Sequence, residues 1–154
     1  MHRQQKHQLV AISTLLLTMG LTGCFSVSTP RGFVELETTA FPYKAVSAQG
    51  AVLTVRRFDN GPEAKLHFWK QVLADELVQQ RGYTIANESA VRTKEGVLGH
   101  RFRFKGRYRG EEHAYQLAVF VTSSWVYLLE ATAPAKDFSR YERAAQLFVA
   151  SFKP

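Results

Sequence analysis

The chain is poor in the features that usually announce an activity. Among its 154 residues there is one cysteine, Cys24, so no internal disulfide, no Cys-x-x-Cys redox pair and no multi-cysteine metal site can be built from it. There is no G-x-S-x-G elbow, no H-E-x-x-H pair and no glycine-rich phosphate loop ending in lysine. The sequence signatures of serine hydrolases, zinc proteases and P-loop nucleotide enzymes are therefore missing. No internal repeat or low-complexity tract divides the chain. Its most apolar stretch, Leu9 to Leu21, spans 13 residues and carries Ser13, Thr14 and Thr18. About 20 mostly apolar residues are needed to cross a bilayer, so this run is too short to persist as a span. Acidic residues are the scarcer charge, 13 against 20 lysines and arginines, which leaves a net charge of +7.

What is present begins with that apolar run. Arg3 and Lys6 precede it without any acidic residue, and small residues follow it up to Cys24, the layout of an export signal. The residues Leu21, Thr22, Gly23 and Cys24 resemble the lipobox of bacterial lipoproteins. That resemblance implies cleavage before Cys24, a diacylglyceryl group on its thiol and a fatty acyl group such as palmitate on the freed amine. Each buried methylene contributes roughly 0.8 kcal/mol; one acyl chain binds marginally, whereas two or three hold firmly. The expected organisation is a signal peptide over 1–23, the lipidated cysteine and a short linker over 24–32, and a single domain over 33–154. Phe25, not Asp, follows the cysteine. By the sorting rule of enteric lipoproteins, this predicts the periplasmic leaflet of the outer membrane.

The linker "FSVSTPRG" is polar, small and broken by Pro30 and Gly32. Fully extended it reaches no more than roughly 26 to 29 Å, so the domain is expected to stay near the headgroups. Two helices stand out beyond it. In "NGPEAKLHFWKQVLADELVQQRG" the candidate N-cap is Asn60, with Pro62 in the first turn and Glu63 three residues after the cap, and Arg81 and Gly82 close the helix. Leu66, Trp69, Val72, Leu73 and Leu77 form its apolar stripe. In the last segment Phe138, Tyr141, Ala145, Phe148, Val149 and Phe152 form one face. Lys136, Arg140, Glu142, Arg143 and Gln146 form the other.

Strand signals run from Ala51 to Phe58, from Tyr83 onward and from Trp125 to Ala133, with weaker ones at Phe33 to Thr38 and Tyr43 to Ser47. The stretch "GHRFRFKGRYRGEEHAYQLAVFV" reads as a hairpin whose two-residue loop is Gly110 and Glu111, so that Arg109 faces Glu112. Phe102, Phe104 and Tyr108 then share a buried face with Val119, Leu117 and His113. Arg101, Arg103, Lys105 and Arg107 share the other with Phe120, Ala118, Gln116 and Ala114, whose small members leave room for long basic side chains. This basic row is a candidate anion- or partner-binding surface. The alternative is that a helix covers it, with Ala114 and Ala118 as packing contacts and the arginines as rim residues.

The order of elements, together with "GHRFRFKGRYRG", "VYLLEATAPAKDFSRY" and the terminal "ASF", resembles the PsbP and Mog-like fold. That fold is shared by photosystem II extrinsic proteins, a Ran-binding family and DcrB-type bacterial envelope lipoproteins. The resemblance runs from about Gly32 to Lys153. It implies an α+β domain, an antiparallel sheet flanked by helices in an α/β/α sandwich, and a non-enzymatic accessory or binding role.

The chemistry-bearing residues are few. His67, His100 and His113 do not fall at metal-ligand spacing, and no metal or cofactor is expected. Glu130 is the one carboxylate inside an apolar strand. It reads as a structural partner for an arginine or as an outer-face residue, and less readily as a general acid with a raised pKa. Asp75 and Glu76 are adjacent on a helix, hence on different faces. The alternating charge and rings of "RFRFKGRYR" invite a nucleic-acid reading. In the hairpin register, however, the rings point away from the basic face, so no base could stack where phosphates would bind. The sequence therefore points to a membrane-anchored envelope lipoprotein that binds or scaffolds another envelope protein. An adaptor for anionic lipid or glycan is the second choice and a hydrolase the third.

Overall fold

The computed structural model describes residues 24–154. The signal segment 1–23, including lipobox positions 21–23, lies outside the described residues. Seven strands form one antiparallel sheet: β1 (Phe33–Glu35), β2 (Tyr43–Ser47), β3 (Val52–Asp59), β4 (Thr84–Arg92), β5 (Leu98–Tyr108), β6 (Glu111–Val121) and β7 (Trp125–Pro134). Their order across the sheet is β1-β2-β3-β7-β6-β5-β4. Helix α1 (Leu66–Asp75) continues into a π-helical turn, Glu76–Gln80, and α2 (Phe138–Ala150) follows β7. The class is α+β, as the sequence predicts.

Alternation along the strands sorts the core into two sets. Phe102, Phe104, Leu117, Val119, Val126 and Leu128 pack with Leu77 of the π turn and with Leu66, Trp69 and Leu73 of α1. The residues between them in sequence, Ala118, Phe120, Tyr127, Leu129 and Ala131, pack with Ala145, Phe148 and Val149 of α2 and with Phe152. Fully burying a side chain such as Phe148 contributes about 1.5 to 3 kcal/mol, so α2 is held by its buried stripe, whereas the stripe of α1 is only half-buried.

The β5–β6 hairpin turns at Arg109 and Gly110, not at Gly110 and Glu111. Both residues have positive φ, 52° and 86°, the requirement of a type I′ turn, which matches the strand twist. Tyr108 therefore pairs with Glu111 and Phe102 with Leu117. Against the expected register the strands slide by two residues, and an even slide leaves every side chain on its expected face.

The start of α1 also differs from expectation. The helix opens at Leu66 with no side-chain cap, and Asn60 serves the preceding loop. Only 2 % exposed, Asn60 donates from Nδ2 to the carbonyls of Ala64 and Thr122, and its Oδ1 accepts from the Ala64 amide and from Trp69 Nε1. A fully satisfied amide here ties the loop to the β6–β7 turn and fixes where α1 begins. Val72 stands apart from the expected stripe and is 39 % exposed.

Residues 24–32 are not a free linker. Ser26 and Lys153 exchange backbone hydrogen bonds of 2.9 and 3.0 Å, and the Ser28 amide donates to Ser151 Oγ. The ring of Phe25 lies against Tyr127 and Phe152 at centroid distances of 5.8 and 6.4 Å, Val27 joins the same cluster, and Pro30 is buried. The segment is a strap that begins one residue after Cys24.

Candidate functional site

The four basic residues of β5 share one face, but α2 divides them. Arg103 donates from Nη2 to Glu142 Oε1 of α2 at 2.5 Å, and its guanidinium lies 5.1 Å from the centre of the Phe138 ring. This hydrogen bond and the charge behind it hold the Glu142 carboxyl below its ordinary pKa. Arg101 donates to Ser89 Oγ of β4. Ala118 and Gln116, the cross-strand neighbours of Arg101 and Arg103, are buried, so the covered-face alternative describes this half of the row, and Ala114, opposite Lys105, packs with Phe138. Lys105 and Arg107, further along β5, are exposed. The Lys105 side chain makes no hydrogen bond or ion pair among the described residues, and the Arg107 side chain bonds only the Gly110 carbonyl at 3.1 Å.

Lys105 and Arg107 line a cleft of about 710 Å³ with Arg81, Thr84, Glu112 and His113. The cleft lies where the end of the π turn meets the tip of the β5–β6 hairpin. Gly106 brings the two together. A Cβ at this position would stand 2.5 Å from the Tyr83 ring, so only glycine lets Tyr83 lie on the strand, against Phe104 and Tyr115. Arg81 carries a partner, Glu76, at 3.3 Å. Sequence reasoning found Lys105 and Arg107 but not Arg81, Glu112 or His113. The available signal was the glycine interrupting a strong strand pattern, which marks a close approach of other chain.

Glu130 is the hub of a second polar group. Its carboxylate accepts two hydrogen bonds from Arg56, one from Thr54 Oγ1 at 2.9 Å and one from Tyr115 Oη at 2.6 Å. Burial, with Glu130 beside it, pushes the Tyr115 phenol well above its ordinary pKa, so this hydroxyl stays a donor. Glu130 is thus the structural partner of an arginine that the sequence suggests. His100 binds Glu88 Oε2 at 2.8 Å and lies against Phe102; that bond, with Lys70 nearby, lowers the Glu88 pKa. Among the described residues no three potential ligands gather into a metal site, and no helix is long and apolar enough to cross a membrane.

Cys24 and the cleft sit toward opposite ends of the sheet. Phe25 rests on Tyr127 and Phe152, and Phe152 on Phe120, which pairs with Gly99 near the start of β5. Lys153 reaches Glu95 in the β4–β5 turn at 2.8 Å. The cleft surrounds Gly106, near the other end of the same strand. At about 3.4 Å per residue the interval from Gly99 to Gly106 is roughly 24 Å.

No protein-family profile matches the chain, and no curated protein matches it in sequence. Solved structures do match in three dimensions. LpqN of Mycobacterium tuberculosis, described as involved in cell envelope biogenesis, superposes with a TM-score of 0.67 at 16 % identity over 84 % of this chain and 83 % of that one. PA94 of Pseudomonas aeruginosa, of unknown function, gives 0.59 at 11 % identity over 88 % and 87 %. The PsbP of the cyanobacterium Synechocystis gives 0.54 at 9 % identity over 90 % and 98 %. At these identities the likeness is one of fold, and the fold is PsbP-like.

Proposed function

We propose that this protein is a membrane-anchored bacterial envelope lipoprotein, akin to the DcrB type, whose domain is a non-enzymatic module for binding or scaffolding another envelope protein. The observation that carries the binding role is a pair of apolar side chains on α1. Phe68 is 48 % and Val72 39 % exposed, and four residues apart on a helix they project from one face. Exposed apolar pairs of this kind suit a protein partner. The anchor rests on the lipobox-like residues and on the exposed Cys24 at the head of the strap. The envelope setting has further support from LpqN. With no slack after Cys24, the domain stands on the bilayer by its Cys24 end, in the periplasmic leaflet of the outer membrane.

Cys24→Ala should move the chain out of the membrane fraction. Affinity capture of the lipidated chain from detergent-solubilised envelope should recover one stoichiometric protein, and the variant Phe68→Ser with Val72→Ser should lose it while keeping its fold. Recovery unchanged in that variant would remove α1 as the docking face.

The second reading, an adaptor for an anionic glycan, is favoured by the open half of the basic row. A role in gripping the protein's own bilayer is not. The cleft lies around Gly106, and from there to Gly99, at the end of β5 nearer Cys24, is roughly 24 Å of strand, about three Debye lengths of roughly 8 Å at physiological salt.

A further inference from the structure

Helix α1 covers only part of its side of the sheet. Its stripe packs on Phe102, Phe104, Leu117, Val119, Val126 and Leu128 of β5, β6 and β7. Directly paired residues share a face, so the register carries this face onward to Val52, Thr54 and Arg56 of β3, Lys44 and Val46 of β2 and Val34 of β1. Helix α2 packs on the opposite face, so among the described residues no helix lies over this half. Val34, Val46 and Val52 stand there in one cross-strand row; Val34 is 66 % exposed and the other two are half-buried.

The two flanks of α1 are told apart by what they reach. Lys70 meets Glu88 of β4, whereas Trp69 reaches Asn60 and the Phe58 ring of β3. Val72 follows Trp69 by three residues, and Phe68, whose ring touches that of Trp69, precedes Val72 by four. Both therefore stand toward β3 and the open half of the sheet. The flank is a wall, the valine row a floor, and together they form a groove. Val34, Leu36, Phe68 and Val72 are four of the eight large apolar residues left exposed among the described residues, and gathered at one place they mark a docking surface.

The groove has the width of a helix. Strands in a sheet are about 4.8 Å apart, so β3 lies about 9.6 Å from β6, which is under α1; packed helices run about 8 to 10 Å apart. A helix laid beside α1 would sit above β3 and β2. The charges select its chemistry. The side chains of Lys44, on the floor, and Lys65, four residues before Trp69, make no hydrogen bond or ion pair among the described residues. Arg56 is 43 % exposed, and the Glu130 carboxylate beneath it is already taken.

We infer that this groove holds an acidic amphipathic helix of a partner protein, its apolar stripe seated between Val72 and the valine row and its carboxylates beside Lys44, Lys65 and Arg56. This rests on the protein-binding reading of α1 and names the kind of segment that face meets.

The test is fluorescence anisotropy on the full chain in nonionic detergent at low salt, with empty micelles as the blank. The probe is a labelled, hydrocarbon-stapled helix of about 14 residues, with leucines at helical spacing and glutamates flanking them. A second peptide keeps the leucines and carries lysine in place of each glutamate. The glutamate peptide should bind at least tenfold more tightly than the lysine peptide. Val34→Ser with Val46→Thr should weaken it at least fivefold, as should Phe68→Ser with Val72→Ser, and Lys44→Gln should weaken it at least threefold. Ile85→Ser with Leu98→Ser, on the β4 side of α1, should leave it unchanged. Thermal unfolding of each variant confirms that the fold is kept.

Equal affinity for the two peptides, or no binding of either, would overturn the inference. Loss through the α1 pair alone, with indifference to Lys44 and the valines, would overturn the groove and leave the α1 docking face standing. A dimer in sedimentation equilibrium that Val34→Ser with Val46→Thr dissociates would put a second copy of this chain there instead.

Discussion

Along β5 the same residue types meet opposite fates. In the half nearer the strap, Arg101 and Arg103 are bound to Ser89 and Glu142, and α2 lies over their neighbours. In the half nearer the hairpin tip, Lys105 and Arg107 line an open cleft. The difference is set by the length and placement of α2 and by what it carries toward the strand: Glu142 reaches Arg103, and no acidic side chain of α2 bonds Lys105. A row of four basic residues is therefore two devices, one structural and one available to a ligand. Alternation in a sequence reveals the row, and only the packed helix reveals its division.

Substitutions should separate the fold-bearing groups from the free ones. The largest effect is expected at Glu130→Ala, which leaves Arg56, Thr54 and the buried Tyr115 hydroxyl without their acceptor. Removing one partner of a buried ion pair costs about 3 to 5 kcal/mol, and the open side of Arg56 places this case near about 3 kcal/mol by urea denaturation. Next comes Phe25→Ala, which takes the aromatic contacts out of the strap. It should cost about 2 kcal/mol, less than a fully buried Phe→Ala, and should open residues 24–32 to limited proteolysis.

Arg103→Gln should cost about 1 kcal/mol, as for a partly exposed charged pair, and should change the response to acid. Arg103 holds the Glu142 pKa below its ordinary value. The pair's contribution is therefore fully present above the ordinary carboxylate range and is lost as pH falls through the lowered pKa. The variant should show a shallower loss of stability below about pH 4.5, the unfolded-state value for the carboxyl. Smallest of all, Lys105→Gln and Arg107→Gln should stay within about 0.5 kcal/mol of wild type. If they destabilise as much as Arg103→Gln, the two halves of the row are not different.

Much of the fold was legible because it rests on periodicity. The α2 stripe Phe138, Ala145, Phe148, Val149 and Phe152 is buried as read, and the faces of the hairpin are right even though its turn is not. The turn was misread because a type I′ turn places Arg109 at positive φ, a conformation an arginine disfavours; the hairpin tolerates it to keep its strands in twist. Asn60 was misread because a local cap and a long-range loop tie call for the same residue type, and its partners Thr122 and Trp69 are distant in sequence. The strap was read as a linker because its polar residues act through backbone groups, as in the Ser26 and Lys153 pairing, which leave no trace in composition. The cleft was half legible: two of its cations come from the strand, while Arg81 and His113 come from elements brought together only in the fold.

We propose that the two ends of the sheet do different work, the Cys24 end holding the membrane and the hairpin tip facing away from it. Hydrogen exchange of the lipidated chain in phospholipid vesicles, compared with the Cys24→Ser chain free in solution, tests this most directly. The turns around Glu95 and Ser123 should gain protection on the vesicle, and the amides from Lys105 to His113 should exchange at the same rate in both. Protection of the hairpin tip on the vesicle, with the Cys24 end unchanged, would contradict it.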